Sequence, residues 1–352
     1  MTPLRRKIVA GTALAGSACA LVALATGIFR PAAVSASRPI VIKFSHVVAD
    51  ETPKGAAALY FKRLVEERTQ RGVLVQVYPN SELYKDKEEL EALQLGSVQM
   101  VAPSLAKLGP LGIGEFELFD LPFLFDGYAS LHRVTDGPVG RQLMARLDEV
   151  GLLGLAFWDN GFKEMSADRP LVVPADFRGL RMRIQSSEVL DAQMRALGAI
   201  PDAMALSDVY AALASGVVNG TENVASNFLT QKMYEVQAFL TLSDHGYLGY
   251  VVVVNQTFWN QLPGSVRSVL DEAMKDATRF ANDIAKSEND AALDRVRKEG
   301  KTQIIELSPQ QREAWRAALS SVHEGFQRRV GKRLLEDAYR AIGSGRTEAR
   351  RS

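Results

Sequence analysis

Two arginines spaced two residues apart form the pattern in this sequence with the clearest chemical meaning. They lie in residues 180–184, LRMRI, where apolar and basic side chains alternate. The period of a β-strand places Arg181 and Arg183 on one face and the apolar side chains on the other. A guanidinium matches a carboxylate with two parallel hydrogen bonds, so a buried arginine here would form an anion site. An amphipathic strand with two solvated arginines is the alternative.

The segments that follow this strand add polar groups to it. Ser186 and Ser187 can cap the next helix, whose free N–H groups and dipole favour a nearby anion, although a plain helix cap needs no ligand. A second serine-capped helix ends in glycine and leads into residues 219–223, NGTEN. Asn223 is therefore either a ligand contact or a loop residue that bonds its own backbone.

Residues 177–250 together resemble the carboxylate-recognition region of TRAP-transporter substrate-binding proteins of the DctP branch, which capture C4-dicarboxylates. In that family the second basic residue of the strand binds a ligand carboxylate, which implies this role for Arg183. The asparagine of the family pattern Val-Asp-Gly-x-Glu-Asn reaches the same carboxylate, which implies it for Asn223. Asn219 replaces the aspartate of that pattern here. The resemblance extends over roughly residues 40–330 and implies both a ligand class and its contacts.

The same resemblance implies further contacts near the crossings between two lobes. It places a cation that faces the cleft at Lys163, which would otherwise be an exposed lysine after the turn at 159–161. Trp158 either covers the ligand or packs in the core. His245 recurs in this branch and is either a ligand contact or a histidine of the hinge.

Residues 44–55, FSHVVADETPKG, resemble the opening segment of the DctP branch. Because a first strand and the following helix start line the cleft in such folds, His46 and Lys54 are candidate contacts for a second carboxylate, or else structural residues. Ser104 follows the third strand and offers a hydroxyl; sialic-acid-type relatives have a glutamate near this point, and its absence favours a dicarboxylate. Leu206 replaces a phenylalanine of many relatives, which would admit a branched or longer acid.

The N-terminus predicts export to the periplasm. Residues 5–7 are basic, residues 8–29 form an uncharged and mostly apolar run, and residues 34–36 are Val-Ser-Ala. This order is typical of a secretory signal cleaved after Ala36, and an uncleaved anchor is the alternative. Cys19, the only cysteine, lies within the run.

The charge balance excludes a nucleic-acid-binding footprint. Four of the 42 basic residues and none of the 41 acidic ones lie in the predicted signal, so the mature chain carries a formal net charge of −3. An anionic ligand must then be held by local positive charge. The mature chain has no cysteine and therefore uses neither disulfides nor thiol chemistry.

Strand and helix patterns alternate along the mature chain, which predicts α/β layers with a largely parallel sheet. Strand patterns lie at 40–46, 73–78, 98–102, 151–158, 180–184 and 251–255. From residue 258 onward the pattern is helical, with a long helix that Gly300 can end and a further one capped at Ser308.

The resemblance implies a two-lobed periplasmic binding protein fold (type II-like), with hinge-linked lobes and a long helix that spans both. The predicted organisation is a signal peptide, two interleaved lobes and a polar tail. Their bounds are 1–36 for the signal, 37–160 with about 249–288 for lobe I, 161–248 with about 289–335 for lobe II, and 336–352 for the tail.

The sequence therefore predicts a monomeric solute-binding protein that passes a small organic acid, first of all a C4-dicarboxylate, to TRAP permease membrane subunits. One alternative keeps the fold with a sugar acid, keto acid or aromatic acid; another has it feed a sensor kinase. An enzyme is not expected, because the sequence has no Gly-x-Ser-x-Gly, phosphate loop or Cys/His metal spacing. We accordingly predict no catalytic residue, metal or cofactor.

Overall fold

The computed structural model describes residues 38–343. The predicted signal and its cleavage point lie outside the described residues, as do residues 344–352 of the predicted tail. Within the described part, nine strands form one sheet. They are β1 (Ile40–Ser45), β2 (Val73–Tyr78), β3 (Met100–Val101), β4 (Leu152–Ala167), β5 (Arg181–Ile184), β6 (Ile200–Ala203), β7 (Gly220–Asn223), β8 (Phe239–Asn255) and β9 (Gln303–Glu306).

Twelve α-helices among the described residues cover this sheet. They are α1 (Pro53–Arg68), α2 (Glu88–Gln94), α3 (Tyr128–Thr135), α4 (Pro138–Arg146), α5 (Glu188–Ala196), α6 (Leu206–Ala214), α7 (Ala225–Thr230), α8 (Gln256–Gln261), α9 (Gly264–Glu299), α10 (Pro309–Ala318), α11 (Ser320–Val330) and α12 (Lys332–Ile342).

Two of these elements differ from the sequence prediction for the C-terminal part. Strand β9 interrupts the predicted all-helical segment because it pairs in parallel with the first residues of β8. Residues 336–342, predicted to belong to the polar tail, lie in helix α12. That helix buries Leu335 and Ala338 against the core, which is why it is ordered as part of the fold.

The sheet contains a parallel group at each end, joined by two long antiparallel strands. In the order β2-β1-β3-β8-β4-β7-β5-β6, strands β1–β3 form the first strand group and β5–β7 form the second. Strands β4 and β8 pair with each other and carry the chain from one group to the other and back. The sheet is therefore mixed rather than largely parallel.

Strand β4 continues through a segment that the sequence predicts to be a turn. Asp159 pairs with Gly249 and Gly161 with Leu248, with an irregularity of register between the two pairs. The turn-forming residues thus make a β-bulge, which absorbs the buried Asn160 without ending the strand. The predicted lobe boundaries fall near this crossing and stay a prediction.

Local sequence signals set the ends of the helices around the crossing. Helix α1 begins at Pro53, and the Thr52 hydroxyl accepts a hydrogen bond of 3.2 Å from the amide of Gly55. Helix α9 ends at Glu299 and is followed by Gly300, whose φ of 66° favours glycine. Helix α9 packs against β4 and against α1 and α7, which follow strands of the first and the second group, respectively.

Candidate functional site

A cavity lies where the carboxyl ends of the two strand groups meet. Parallel strands commonly place ligands at this edge, because side chains from several strand ends converge there. The cavity contains about 290 Å³ of space, partly open to solvent, and joins a wider cleft that shares Asp86, Lys107, Arg183 and Gln185. Its lining residues are Val47, Val48, Asp86, Ser104, Lys107, Arg183, Gln185, Leu206, Asn223, Asn227, Leu248 and Tyr250.

Arg183 supplies a buried cation to this cavity. Its Nε and Nη2 donate hydrogen bonds of 3.1 and 2.8 Å to the carbonyl of Met204, which fixes the plane of the guanidinium. Among the described residues, its Nη1 has no hydrogen-bond partner. Burial lowers the pKa of Arg183 to about 10, against the influence of Glu222, so the side chain stays charged at neutral pH. By contrast, Arg181 on the same strand is exposed and pairs with Asp202 at 3.0 Å.

Asn223, at the end of β7, presents an amide to the same cavity. Its Oδ1 accepts hydrogen bonds of 3.0 Å from the backbone amide of Val224 and from Nδ2 of Asn227. With that oxygen engaged by two donors, the NH₂ group of Asn223 is the part left to donate to an anion. Arg183 and Asn223, both predicted contacts, are thus brought together in one cavity.

Lys107 provides a second cation that the sequence analysis missed. Its Nζ forms a buried ion pair with Asp86 and lies 3.6 Å from Oε1 of Glu89. Burial, followed by the charges of Lys54 and Arg183, lowers the pKa of Lys107. Lys107 and Arg183 line the same cavity. Lys107 ends a short 3₁₀ turn after β3, so the rule that strand ends line the cleft could have found it.

Hydroxyl and amide groups complete the wall of the cavity. The Ser104 hydroxyl donates to Oε1 of Gln185, and the Tyr250 hydroxyl accepts a hydrogen bond of 2.7 Å from Nδ2 of Asn160. Ser104 was a predicted contact. Gln185, Asn227 and Tyr250 were missed, because no local motif marks an amide or a phenol as part of a site.

His46 and Lys54 lie beside the cavity without lining it. The Nζ of Lys54 sits 3.8 Å from the centre of the Tyr250 ring and donates to the carbonyl of Ala102 at 2.8 Å. Burial lowers the pKa of Lys54 to about 8, and nearby Glu89 opposes this. Burial and the charge of Lys54 lower the pKa of His46 to about 3, so this histidine is neutral at pH 7.

Three other predicted contacts, Lys163, His245 and Trp158, belong to buried networks outside the cavity lining. Lys163 and His245 both pair with Glu222, at 2.8 Å and 2.9 Å. Trp158 packs on Phe44 in the core, where its Nε1 donates to the Thr278 hydroxyl at 3.0 Å. Contact of these three residues with a ligand stays a prediction.

The described residues show neither a metal site nor a membrane span. Within 38–343, no group of three or more His, Cys, Asp or Glu side chains could hold a metal ion. No helix in that same range is both long and apolar enough to cross a bilayer.

The cavity can hold an anion, because the positive charges of Arg183 and Lys107 on its wall are only partly balanced by Asp86.

Comparison with known proteins identifies similar chains along most of this length. The family model for bacterial extracellular solute-binding protein, family 7 (DctP), matches residues 44–329. The C4-dicarboxylate-binding periplasmic protein DctP of Rhodobacter capsulatus is 57% identical over 299 residues, which cover 85% of this chain and 90% of that protein.

Two solved structures of TRAP periplasmic solute-binding proteins share the fold. The protein from Shewanella oneidensis, with bound succinate, has a TM-score of 0.84 and 40% identity, covering 86% of this chain and 99% of its own. The protein from Pseudomonas aeruginosa, with bound L-malate, has a TM-score of 0.80 and 41% identity, covering 82% and 100%. These similarities confirm the two-lobed fold expected from the sequence.

Proposed function

We propose that this chain, which belongs to the DctP family of bacterial extracellular solute-binding proteins, captures a C4-dicarboxylate for a TRAP transporter. Succinate, malate and fumarate are the candidate ligands. The buried guanidinium of Arg183, with Nη1 unpaired among the described residues and Asn223 on the same cavity, is the observation on which this proposal rests. Two relatives with this fold, each about 40% identical, were solved with succinate and L-malate.

One carboxylate of the ligand binds to Arg183 and Asn223. A carboxylate loses its hydration on entering the cavity, so charge-assisted hydrogen bonds must replace that water. Arg183 Nη1 and the NH₂ of Asn223 are donors on the cavity wall, and the two bonds to Met204 hold the guanidinium still. A cation fixed in advance loses little side-chain freedom when the ligand arrives.

The second carboxylate binds on the side of Lys107, Ser104 and Tyr250. Burial lowers the pKa of Lys107, and repulsion from the charges of Lys54 and Arg183 lowers it further. A dianion relieves this repulsion among cations, whereas a monoanion relieves only part of it. Lys54 acts from behind the Tyr250 ring and completes the positive field.

The remaining predicted residues support the site from the interior. Lys163 and His245 hold Glu222, the residue before Asn223 on β7, and so fix the strand that presents the amide. Trp158 and His46 both pack beside Phe44 at the base of the first strand group. None of these residues has a catalytic role in this proposal, which needs retention of the ligand and no reaction.

Delivery requires the cleft to open and close. The two lobes, bounded near residues 160 and 248, close around the ligand by bending at the crossing of β4 and β8. The closed form then docks as a monomer on the membrane subunits of a TRAP permease. In this proposal the mature chain is cleaved near Ala36 and acts in the periplasm.

Thermal unfolding of residues 37–352 with a panel of acids tests this function. Succinate, malate and fumarate at 100 times their dissociation constants should each add about 2.7 kcal/mol to the free energy of unfolding. Arg183→Ala should abolish the shift, because a buried carboxylate left without its partner costs about 3–5 kcal/mol. An unchanged shift in this variant contradicts the assignment of Arg183.

A different organic acid is the second candidate, and the position of Leu206 favours its inclusion in the panel. Leu206 lines the cavity, and its side chain is smaller than the phenylalanine expected from the sequence resemblance. A sugar acid, a branched keto acid and an aromatic acid are therefore measured beside the dicarboxylates. A shift with one of these alone keeps the fold and the role of Arg183 but rejects the C4-dicarboxylate.

A further inference from the structure

Helix α6 begins without a capping side chain of its own. Its N-cap position is Ala205, and Ser207, within the helix, hydrogen-bonds to Asp208 instead of to the helix start. The serine cap expected from the sequence is therefore absent. The amide of Leu206, the first helical residue, donates to Oδ2 of Asp86 at 2.5 Å. A residue 120 positions earlier thus caps this helix.

The cap joins the two strand groups across the cleft. Asp86 lies between β2 and α2 of the first group, whereas α6 connects β6 and β7 of the second. Asp86 is only 7% exposed, and its other oxygen pairs with the buried Lys107. A carboxylate at a helix N-terminus is stabilised by the helix dipole, and more strongly when water is excluded.

The same helix start is connected to the anion site. The carbonyl that accepts both hydrogen bonds from Arg183 belongs to Met204, two residues before Leu206. A ligand held by Arg183 therefore steadies the segment that carries the Leu206 amide, which Asp86 caps. Asp86 can reach this amide only when the two sides of the cleft are close together.

We propose that Asp86 is a positioning residue that fastens α6 to the first lobe and so couples ligand contact at Arg183 to closure of the cleft. The ligand in this scheme is that of the proposed function, whereas the cap itself does not depend on which ligand binds. A second contact across the cleft, Lys85 with Asp208 at 2.8 Å, is about half exposed on both sides. Such a pair contributes little and serves as a matched control.

Distance measurements between two spin labels test the proposal. The mature chain has no cysteine, so Glu67→Cys and Ser215→Cys, both at exposed positions near α1 and α6, give one label on each side of the cleft. We would compare Asp86→Ala, Asp86→Asn and the control Asp208→Asn, with and without saturating succinate. The dissociation rate of succinate is measured on the same variants without labels.

Asp86→Ala should keep an open population in the presence of succinate and should release succinate about tenfold faster, the effect of losing a helix cap. Asp86→Asn should be intermediate, because its amide oxygen still accepts from the Leu206 amide but carries no charge. Asp208→Asn should behave as the parent protein. If Asp86→Ala does not fold, the asparagine variant alone decides the outcome.

Full closure of Asp86→Ala with succinate bound overturns the proposal, whether release is unchanged or faster. Faster release with full closure means that Asp86 acts on the ligand through Lys107, its ion-pair partner on the cavity wall. If the parent protein binds no succinate, the proposed function fails. The spin-label distances measured without ligand then test the cap by itself. A larger open fraction in Asp86→Ala than in the parent supports the cap, and equal fractions reject it.

Discussion

The Nζ of Lys163 lies 2.8 Å from Oε1 of Glu222, and both side chains are only 1% exposed. His245 and Gln193 approach the other carboxylate oxygen at 2.9 and 3.0 Å. Burial alone would raise the pKa of Glu222, but Lys163 and His245 overcome it and lower the pKa to about 2. Glu222 is therefore an ionised, fully paired group directly before Asn223 in the sequence.

Replacing Lys163 by Met should lower the free energy of unfolding by about 3–5 kcal/mol, because Glu222 is left as an uncompensated buried charge. The double variant Lys163→Met/Glu222→Gln should recover much of this loss, since it removes both charges. Chemical denaturation measures both effects. A Lys163→Met protein of normal stability that no longer binds succinate would instead show direct contact between Lys163 and the ligand.

Arg183→Lys should weaken succinate binding by roughly 10- to 100-fold, about 1.4–3 kcal/mol, although it keeps the charge. A lysine cannot donate to Met204 and to the ligand in one fixed plane, as the fork of Arg183 can. Arg181→Lys is the matched control, because Arg181 is exposed on the same strand. Titration calorimetry checks both, and equal affinities of the two variants would contradict the assignment.

The buried His46 should make the fold sensitive to acid. Its pKa is lowered to about 3, so between pH 6.5 and 3 the unfolded chain binds a proton that the folded chain does not. Stability is therefore present above pH 6.5 and is lost as the pH falls, by about 3 kcal/mol at pH 4 from this group. Relative to its own stability at pH 7, His46→Gln should lose less at pH 4 than the parent. Equal losses of stability between pH 7 and pH 4 in His46→Gln and in the parent would contradict a neutral buried His46.

The contribution of His132 to stability should depend on pH in the opposite direction, so His132 serves as the control. Its Nε2 lies 2.6 Å from Oδ2 of Asp159, and this hydrogen bond raises the pKa of His132. Its stabilisation is then fully present below pH 6.5 and is lost as the pH rises through the folded value. The loss of melting temperature in His132→Gln should therefore be larger at pH 5.5 than at pH 8.5. An equal loss of melting temperature at both pH values would mean that the His132–Asp159 pair does not titrate between them.

Leu206→Phe should reduce the binding of larger acids more than that of succinate. Leu206 is 6% exposed and lines the cavity, so a larger ring occupies space that a longer ligand needs. The cap of α6 by Asp86 uses the backbone amide of Leu206, so this substitution leaves it unaffected. Dissociation constants for succinate and a six-carbon sugar acid measure the effect. An unchanged ratio would show that Leu206 does not limit the size of the ligand.

The sequence by itself determined the features that depend on neighbouring residues. Alternation in residues 180–184 predicted a strand with two arginines on one face. The boundary signals at Gly300 and Ser308 correctly predicted the end of α9 and the start of α10. These signals act within one turn or one strand, so no distant contact is needed to interpret them. The family resemblance then supplied the fold class and the kind of ligand.

Only the tertiary structure decided which charged residues meet. Lys163 pairs with Glu222 because the sheet places β4 beside β7. Lys107 pairs with Asp86 because the segments that follow β3 and β2 meet at one edge of the sheet. Nothing local in the sequence distinguishes such lysines from exposed ones. The bulge at Asn160 replaced a predicted turn because β8 offers partners on both sides of it. Burial and long-range pairing set these outcomes, and both are properties of the assembled sheet rather than of any segment of the chain.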